Sequence, residues 1–143
     1  MIDTSASIRA IYLAKLNGFL TYDGTNVPVY GNIPFKTPPK RYVIISAITE
    51  GANNNNQVFM NEVIVTLDIF AEQYMTNDNA VVDNISSQIL NILIPNTAVT
   101  DIGDASFSVY PTARTSSRYL PLMSGQNFVA RKIITISNLV NQK

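Results

Sequence analysis

Acidic pairs and evenly spaced arginines are the residues of this chain whose types and spacing could do chemistry. Asp101 and Asp104 flank Gly103, an arrangement that could hold a cation or exchange a proton, and that also builds an ordinary turn. Glu62 and Asp68 share a strand parity but stand six residues apart. That is roughly 20 Å at strand rise, too far for one carboxylate pair. Arg114 and Arg118 fall on one face if their strand is regular, with Ser116 between them. There they could line a pore, pair with a neighbouring subunit's carboxylates, or be solvated. The sequence holds no nucleophile elbow, phosphate loop, dinucleotide fingerprint or calcium loop. It also contains neither histidine nor cysteine. The usual general base, the usual zinc ligand, thiolate metal sites and disulfides are thereby removed. The expectation is no cofactor and no enzymatic turnover.

The bulk composition points the same way. Hydrophobic residues make up 46% of the 143, and charged residues only 14%, against about 25% charge in typical domains. Asparagine and glutamine fill the gap, as in the run Asn53 to Gln57. A surface so poor in charge gains little repulsion between copies, which suits a protein living in a complex and also allows a neutral monomer. With 10 basic and 10 acidic residues the net charge is zero. This argues against strong nucleic-acid binding, which draws on clustered Lys and Arg. The one weak basic cluster is Lys36, Lys40 and Arg41. The N-terminus lacks the order of a signal peptide, and no apolar run approaches the length of a membrane span. A cytoplasm-like compartment is expected.

The elements that must position these residues follow from periodicity. A first helix is predicted from Ser5 to Asn17, with Asp3, Thr4 and Ser5 as capping types and Gly18 as a stop. Ile8, Ile11, Tyr12, Lys15 and Phe19 form its stripe, widened by Leu13, Leu16 and Leu20. Tyr22 to Gly24 reads as a turn, Val27 to Tyr30 as a short edge strand, and Ile33 to Pro39 as a proline-punctuated connection. Two long strands follow. Arg41 to about Thr49 is β-branched and apolar, and Val58 to Glu72 alternates. On the second, Phe59, Val63, Val65, Leu67, Ile69 and Ala71 make a core face. Met60, Glu62, Ile64, Thr66, Asp68 and Phe70 make a mixed face, too greasy for open water and too charged for a closed core. Gly51 to Gln57 is a polar loop between the two. A second helix is predicted from Thr76 to Leu93, apolar along Val81, Val82, Ile85, Ile89, Ile92 and Leu93, polar at Ser86, Ser87 and Asn91, and ended by Pro95. Strands are expected at Val99 to Gly103, Ser106 to Tyr110, Thr112 to Arg118 and Asn127 to about Leu139, with a loop at Tyr119 to Ser124. The fold class is α+β: a single domain, 1–143, with a mainly antiparallel sheet of four or more strands and two amphipathic helices on one face.

The ordered pattern resembles one family, the tail-completion (tail-terminator) proteins of tailed bacteriophages. The residues that carry it are the N-terminal helix SIRAIYLAKL, the approach NIPFKTPPKRYVIIS, and the strand pair RYVIISAITE and NEVIVTLDIFAE, which ends in Asp68 and Phe70. A helix of small and aliphatic residues and a last strand after an arginine-containing strand complete it. The asparagine-rich hairpin tip and the scarcity of basic residues depart from the family pattern. The resemblance implies a virion protein, made in the host cytoplasm, that forms a ring at the head–tail junction or the top of the tail. Six copies are favoured and twelve are possible. Its partners would be further copies of itself, a major tail or tail-hub protein, and a neck, connector or portal protein. No membrane is involved, and DNA only passes through the ring. Met60, Ile64 and Phe70 are then candidate subunit contacts. Asn53, Asn54, Asn55 and Asn56, with Leu120, Leu122 and Met123, are candidate docking segments, and Arg114 and Arg118 are candidate lumen or inter-subunit charges. Two other readings stand beside it: a portal-adaptor ring of a short-tailed phage, and a monomeric α+β binding module.

Overall fold

The computed structural model describes residues 4–32, 39–50, 60–74, 78–124 and 127–143, without the side chains of Met60, Tyr74, Thr97 and Ser124. Helix α1 (Ser5–Leu16) begins at Thr4, whose carbonyl accepts the Ile8 N–H at 2.9 Å. The Thr4 hydroxyl makes no cap; it donates to the Glu50 carboxylate. Ile8, Ile11, Tyr12, Leu16 and Leu20 are buried as the periodicity requires. Lys15 and Phe19 are not on the buried stripe. Gly18 takes a positive φ of 90° and turns the chain, leaving Phe19 65% exposed.

Two short strands, β1 (Thr21–Tyr22) and β2 (Thr25–Asn26), pair around Asp23 and Gly24, both at positive φ. This is the backbone of a type I′ turn, for which Asp-Gly is a preferred pair. Strand β3 (Val29–Tyr30) runs parallel to β4 (Arg41–Glu50), touching it only at Val29↔Val43 and Tyr30↔Ile44. Strand β5 (Met60–Tyr74) pairs antiparallel with β4 and with the last strand, β8 (Asn127–Gln142). Strand β6 (Phe107–Tyr119) pairs with β8 and forms the far edge, and β7 (Leu122–Ser124) continues along β8 beyond it. The sheet order is β3-β4-β5-β8-β6. Helix α2 (Ala80–Leu93) starts four residues later than its periodicity suggests. Residues 75–77 lie outside the described residues. Asp78 Oδ1 accepts the Ala80 N–H at 2.9 Å.

Both helices lie on the same face of the sheet, and one apolar core joins them to it. Val63, Val65, Leu67, Ile69 and Ala71 of β5 point into this core with 1% exposure or less. The fold is α+β, as the patterning implies. Ser86 joins the buried side of α2, at 2% exposure, rather than its polar side.

Two polar groups cross the core face. Tyr12 donates to Asn138 Oδ1 at 2.5 Å, while Asn138 Nδ2 donates to the carbonyls of Val63 and Ile136. Asn138 is fully buried and every one of its amide atoms is used, so it fixes α1 against the sheet without an unsatisfied group. Burial pushes the Tyr12 phenol well above its ordinary pKa, which keeps it a donor.

Val99 to Gly103 is an irregular approach, not a strand. Asp101 and Asp104 serve it as turn acceptors. Asp101 Oδ1 takes the N–H groups of Gly103 and Val109, and Asp104 Oδ1 those of Ser106 and Phe107. These bonds hold both carboxylates below their usual pKa; at Asp101 they outweigh the opposing effect of burial. Gly103 is required by a close approach. A Cβ there would stand 1.9 Å from the Phe107 carbonyl oxygen, which accepts the Asp104 N–H at 2.9 Å. Gly103→Ala is therefore expected to destabilise by about 3 kcal/mol, since a backbone atom cannot yield as a flexible side chain does. Urea unfolding tests this, and a midpoint equal to the parent's would refute the packing described.

Candidate functional site

The face of the sheet turned away from the helices has no covering element among the described residues. It is a grid whose rows run across the strands. Tyr42, Phe70 and Arg131 form the first row, on β4, β5 and β8. Tyr42 stacks on Phe70 with centroids 4.8 Å apart, Tyr30 meets Tyr42 edge-on at 6.2 Å, and the Arg131 guanidinium lies 5.3 Å from the Phe70 centroid. Ile44, Asp68, Ile133 and Arg118 form the second. Hydroxyls dominate the third: Thr66, Thr135 and Ser116, with Ser116 Oγ 2.7 Å from Thr135 Oγ1. Thr49, Ile64 and Ser137 follow, then Glu62, Leu139 and Tyr110, with Ser137 donating to Glu62 at 3.0 Å.

The mixed character read from β5 alone thus extends over four strands. Ile64 and Phe70 lie on this face, half-buried. Met60 opens β5 opposite Asn141, and its side chain is outside the described residues. So are Asn53, Asn54, Asn55 and Asn56, and with them the proposed polar loop.

An ion pair sits in the middle of the face. Arg131 Nη2 donates to Asp68 Oδ2 at 2.9 Å, with the Asp68 side chain 9% exposed. Only one of the two possible guanidinium–carboxylate bonds is made. Asp68 Oδ1 and Arg131 Nε are both buried without a hydrogen-bond partner among the described residues. Orphaned buried polar atoms each cost on the order of 1–3 kcal/mol, so this pair stands below its best state. Beside it opens a cleft of about 570 Å³, lined by Arg9, Gly31, Ile44, Ser46, Asp68 and Phe70. Arg9 closes one wall by donating to the carbonyls of Gly31 and Ile45, the latter at 2.7 Å.

The edge strand corrects one expectation. Bulges between Pro111 and Ala113 and between Arg114 and Ser116 break the alternation of β6. Arg114 therefore pairs with Ile136, on the helix side, and Arg118 with Ile133, on the open side. The two arginines occupy opposite faces, because an extra residue in a strand inverts the parity of everything after it. Both are exposed, and neither makes an ion pair among the described residues.

Residues 119–124 do not form the expected loop. Leu120 donates its N–H to the Arg131 carbonyl at 2.9 Å, and Leu122 and Met123 pair with Val129 and Phe128. The strand simply resumes after Pro121. Leu120, Leu122 and Met123 are 44%, 44% and 70% exposed, so this arm carries apolar side chains into solvent. Its root is held by a cluster that periodicity did not reveal. Asp83 of α2 accepts from Tyr119 Oη at 2.6 Å and from Lys132 Nζ at 2.9 Å, and Lys132 lies 5.2 Å from the Tyr119 ring centroid. Partial burial would raise the Asp83 pKa, but those two hydrogen bonds prevail and lower it; the same bond raises that of Tyr119.

Among the described residues no three metal-type ligands converge, and no helix is long and apolar enough to cross a membrane. What the site offers is a patterned contact surface: an aromatic row, an incompletely bonded ion pair, a hydroxyl row and an apolar arm. No protein-family model matches the chain, and no curated protein matches it.

Proposed function

We propose that this protein is a structural subunit that works as a ring, at the head–tail junction or the top of the tail of a tailed bacteriophage. The observation that carries the reading is the open face. One side of the sheet is closed by α1 and α2. The other holds Tyr42, Phe70, Ile64 and Leu139 with a partly buried ion pair, a composition suited to permanent contact with another surface. Resemblance to the tail-completion family supplies the place, and the face supplies the means. A ring needs a heterologous interface in which one patch meets a different patch, and an α+β unit with two unlike edges offers that. Such a subunit acts by fit: one side of the ring meets the tail, the other the neck, and DNA passes through.

The test is solution mass together with location. Native mass spectrometry of the protein and of assembled particles is expected to give a closed oligomer, six copies favoured. A particle reconstruction is expected to place it between tail and neck. Its absence from neck and tail in that reconstruction would refute the proposal.

A further inference from the structure

We propose that copies join by adding the β6 edge of one to the free stretch of the β4 edge of the next, with Arg118 of the first entering the cleft beside Asp68 of the second. This deepens the ring reading and rests on it.

The two edges of the sheet are unlike. Strand β3 covers β4 only at Val43 and Ile44, and Arg9 takes the Ile45 carbonyl. From Ser46 to Glu50 the outer side of β4 has no strand partner among the described residues. Among the described residues strand β6 is unpartnered along its outer side, and it carries Arg114 and Arg118 but no acid. Two β6 edges brought together would oppose arginine to arginine, and Pro111 and the bulges further discourage that union. The free stretch of the β4 edge offers one acid, Glu50, with Asp68 behind it on β5. A second copy in the same orientation also has the right polarity: β4, β5, β8 and β6 alternate in direction, so its β6 runs antiparallel to the first copy's β4.

The bulges supply the strongest agreement. They send Arg114 to the helix side and Arg118 to the open side. The acids are sorted the same way. Glu50 pairs with Val63, on the helix side, and Asp68 lies on the open side. Regular alternation would put both arginines on one face and leave one acid unmatched. Setting Ser116 opposite Thr49 and Arg118 opposite Ala47 keeps all four residues on the open face. It also places Arg114 near Glu50. Arg118 then stands about 10 Å across and about 7 Å along from Asp68, two strand spacings and two residues, within joint reach of the two side chains. The cleft opens at Ser46, between them. There the guanidinium of the copy that supplies β6 meets the acid whose Oδ1 has no partner among the described residues of its own subunit.

The absence of cysteine makes the test clean. Within one subunit Thr49 and Ser116 are separated by β5 and β8, about 14 Å across the strands, too far for a disulfide. Under mild oxidation the double variant Thr49→Cys/Ser116→Cys, as concentrated protein and in assembled particles, is expected to give a covalent ladder ending in one closed species. Mixed single variants should give only a heterodimer of Thr49→Cys with Ser116→Cys. Arg118→Glu should lower cross-linking at least tenfold. Arg114→Glu should also lower it, and Glu50→Arg in the same chain should restore it. Homodimers of Ser116→Cys alone, or no ladder from particles in which mass spectrometry finds the ring, would overturn edge pairing and leave the ring reading intact. Loss of both ladder and ring would overturn both.

Discussion

Val65→Asp is expected to leave the protein unfolded. Val65 is fully buried at the centre of β5, between Ile48 on β4 and Ile136 on β8, on the face covered by the helices. The cation in its cross-strand row, Arg114, stands two strands away at the exposed edge on β6. Lys132, on the same face, is two rows away and engaged with Asp83. An aspartate there must lose its hydration or enter neutral, and either route costs several kcal/mol. Lost valine packing adds to this. The sum is at least about 4 kcal/mol, against a total stability of about 5–15 kcal/mol for a domain of this size. Circular dichroism in a urea series reads the result directly: the transition should vanish or shift far toward zero denaturant. A curve overlaying the parent's would show that Val65 does not face the core.

That prediction is available from sequence because β5 is long and regular. Fifteen residues of unbroken pairing with β8 let period-two alternation declare both faces, and the buried apolar set Val63, Val65, Leu67, Ile69 and Ala71 follows it, with Asp68 the one buried residue of that stretch on the other face. The mixed face was legible for the same reason. What could not be read depends on partners far apart in the chain or on one-residue irregularities. Lys132 sits on the core face of β8, and only the carboxylate of Asp83, forty-nine residues earlier, makes that tolerable. Arg131 and Asp68 meet across 63 residues. Asn138 looks polar and external until Tyr12, 126 residues away, supplies its donor. The faces of Arg114 and Arg118 turn on bulges at Thr112 and Thr115, and β-branched threonines are as common in regular strands. Strands of two residues, such as β1 and β2, are too short to show any period, so only their Asp-Gly turn was visible.

Ile64→Lys, one residue from Val65, is expected to fold and to be excluded from assembled particles. The pleat turns Ile64 to the open face, half-buried in a row with Thr49 and Ser137. A lysine there can lay its methylenes along the sheet and raise its ammonium toward water, with Glu62 on the same face two residues away. Stability should change by less than about 1 kcal/mol. In an assembled contact that route to water closes. An unpaired ammonium would be buried among aliphatic and hydroxyl groups, weakening the contact by at least a hundredfold, or about 2.7 kcal/mol. Incorporation into particles, measured beside a melting curve on the same preparation, separates the two effects. Parent-like melting with lost incorporation makes the open face the contact surface. Parent-like incorporation would show that the face stays solvent-exposed in the assembly and that contacts lie elsewhere. The divergence between neighbouring positions is itself the test, because only a sheet with one face closed by its own helices and the other by a partner makes Val65 indispensable to folding and Ile64 to assembly.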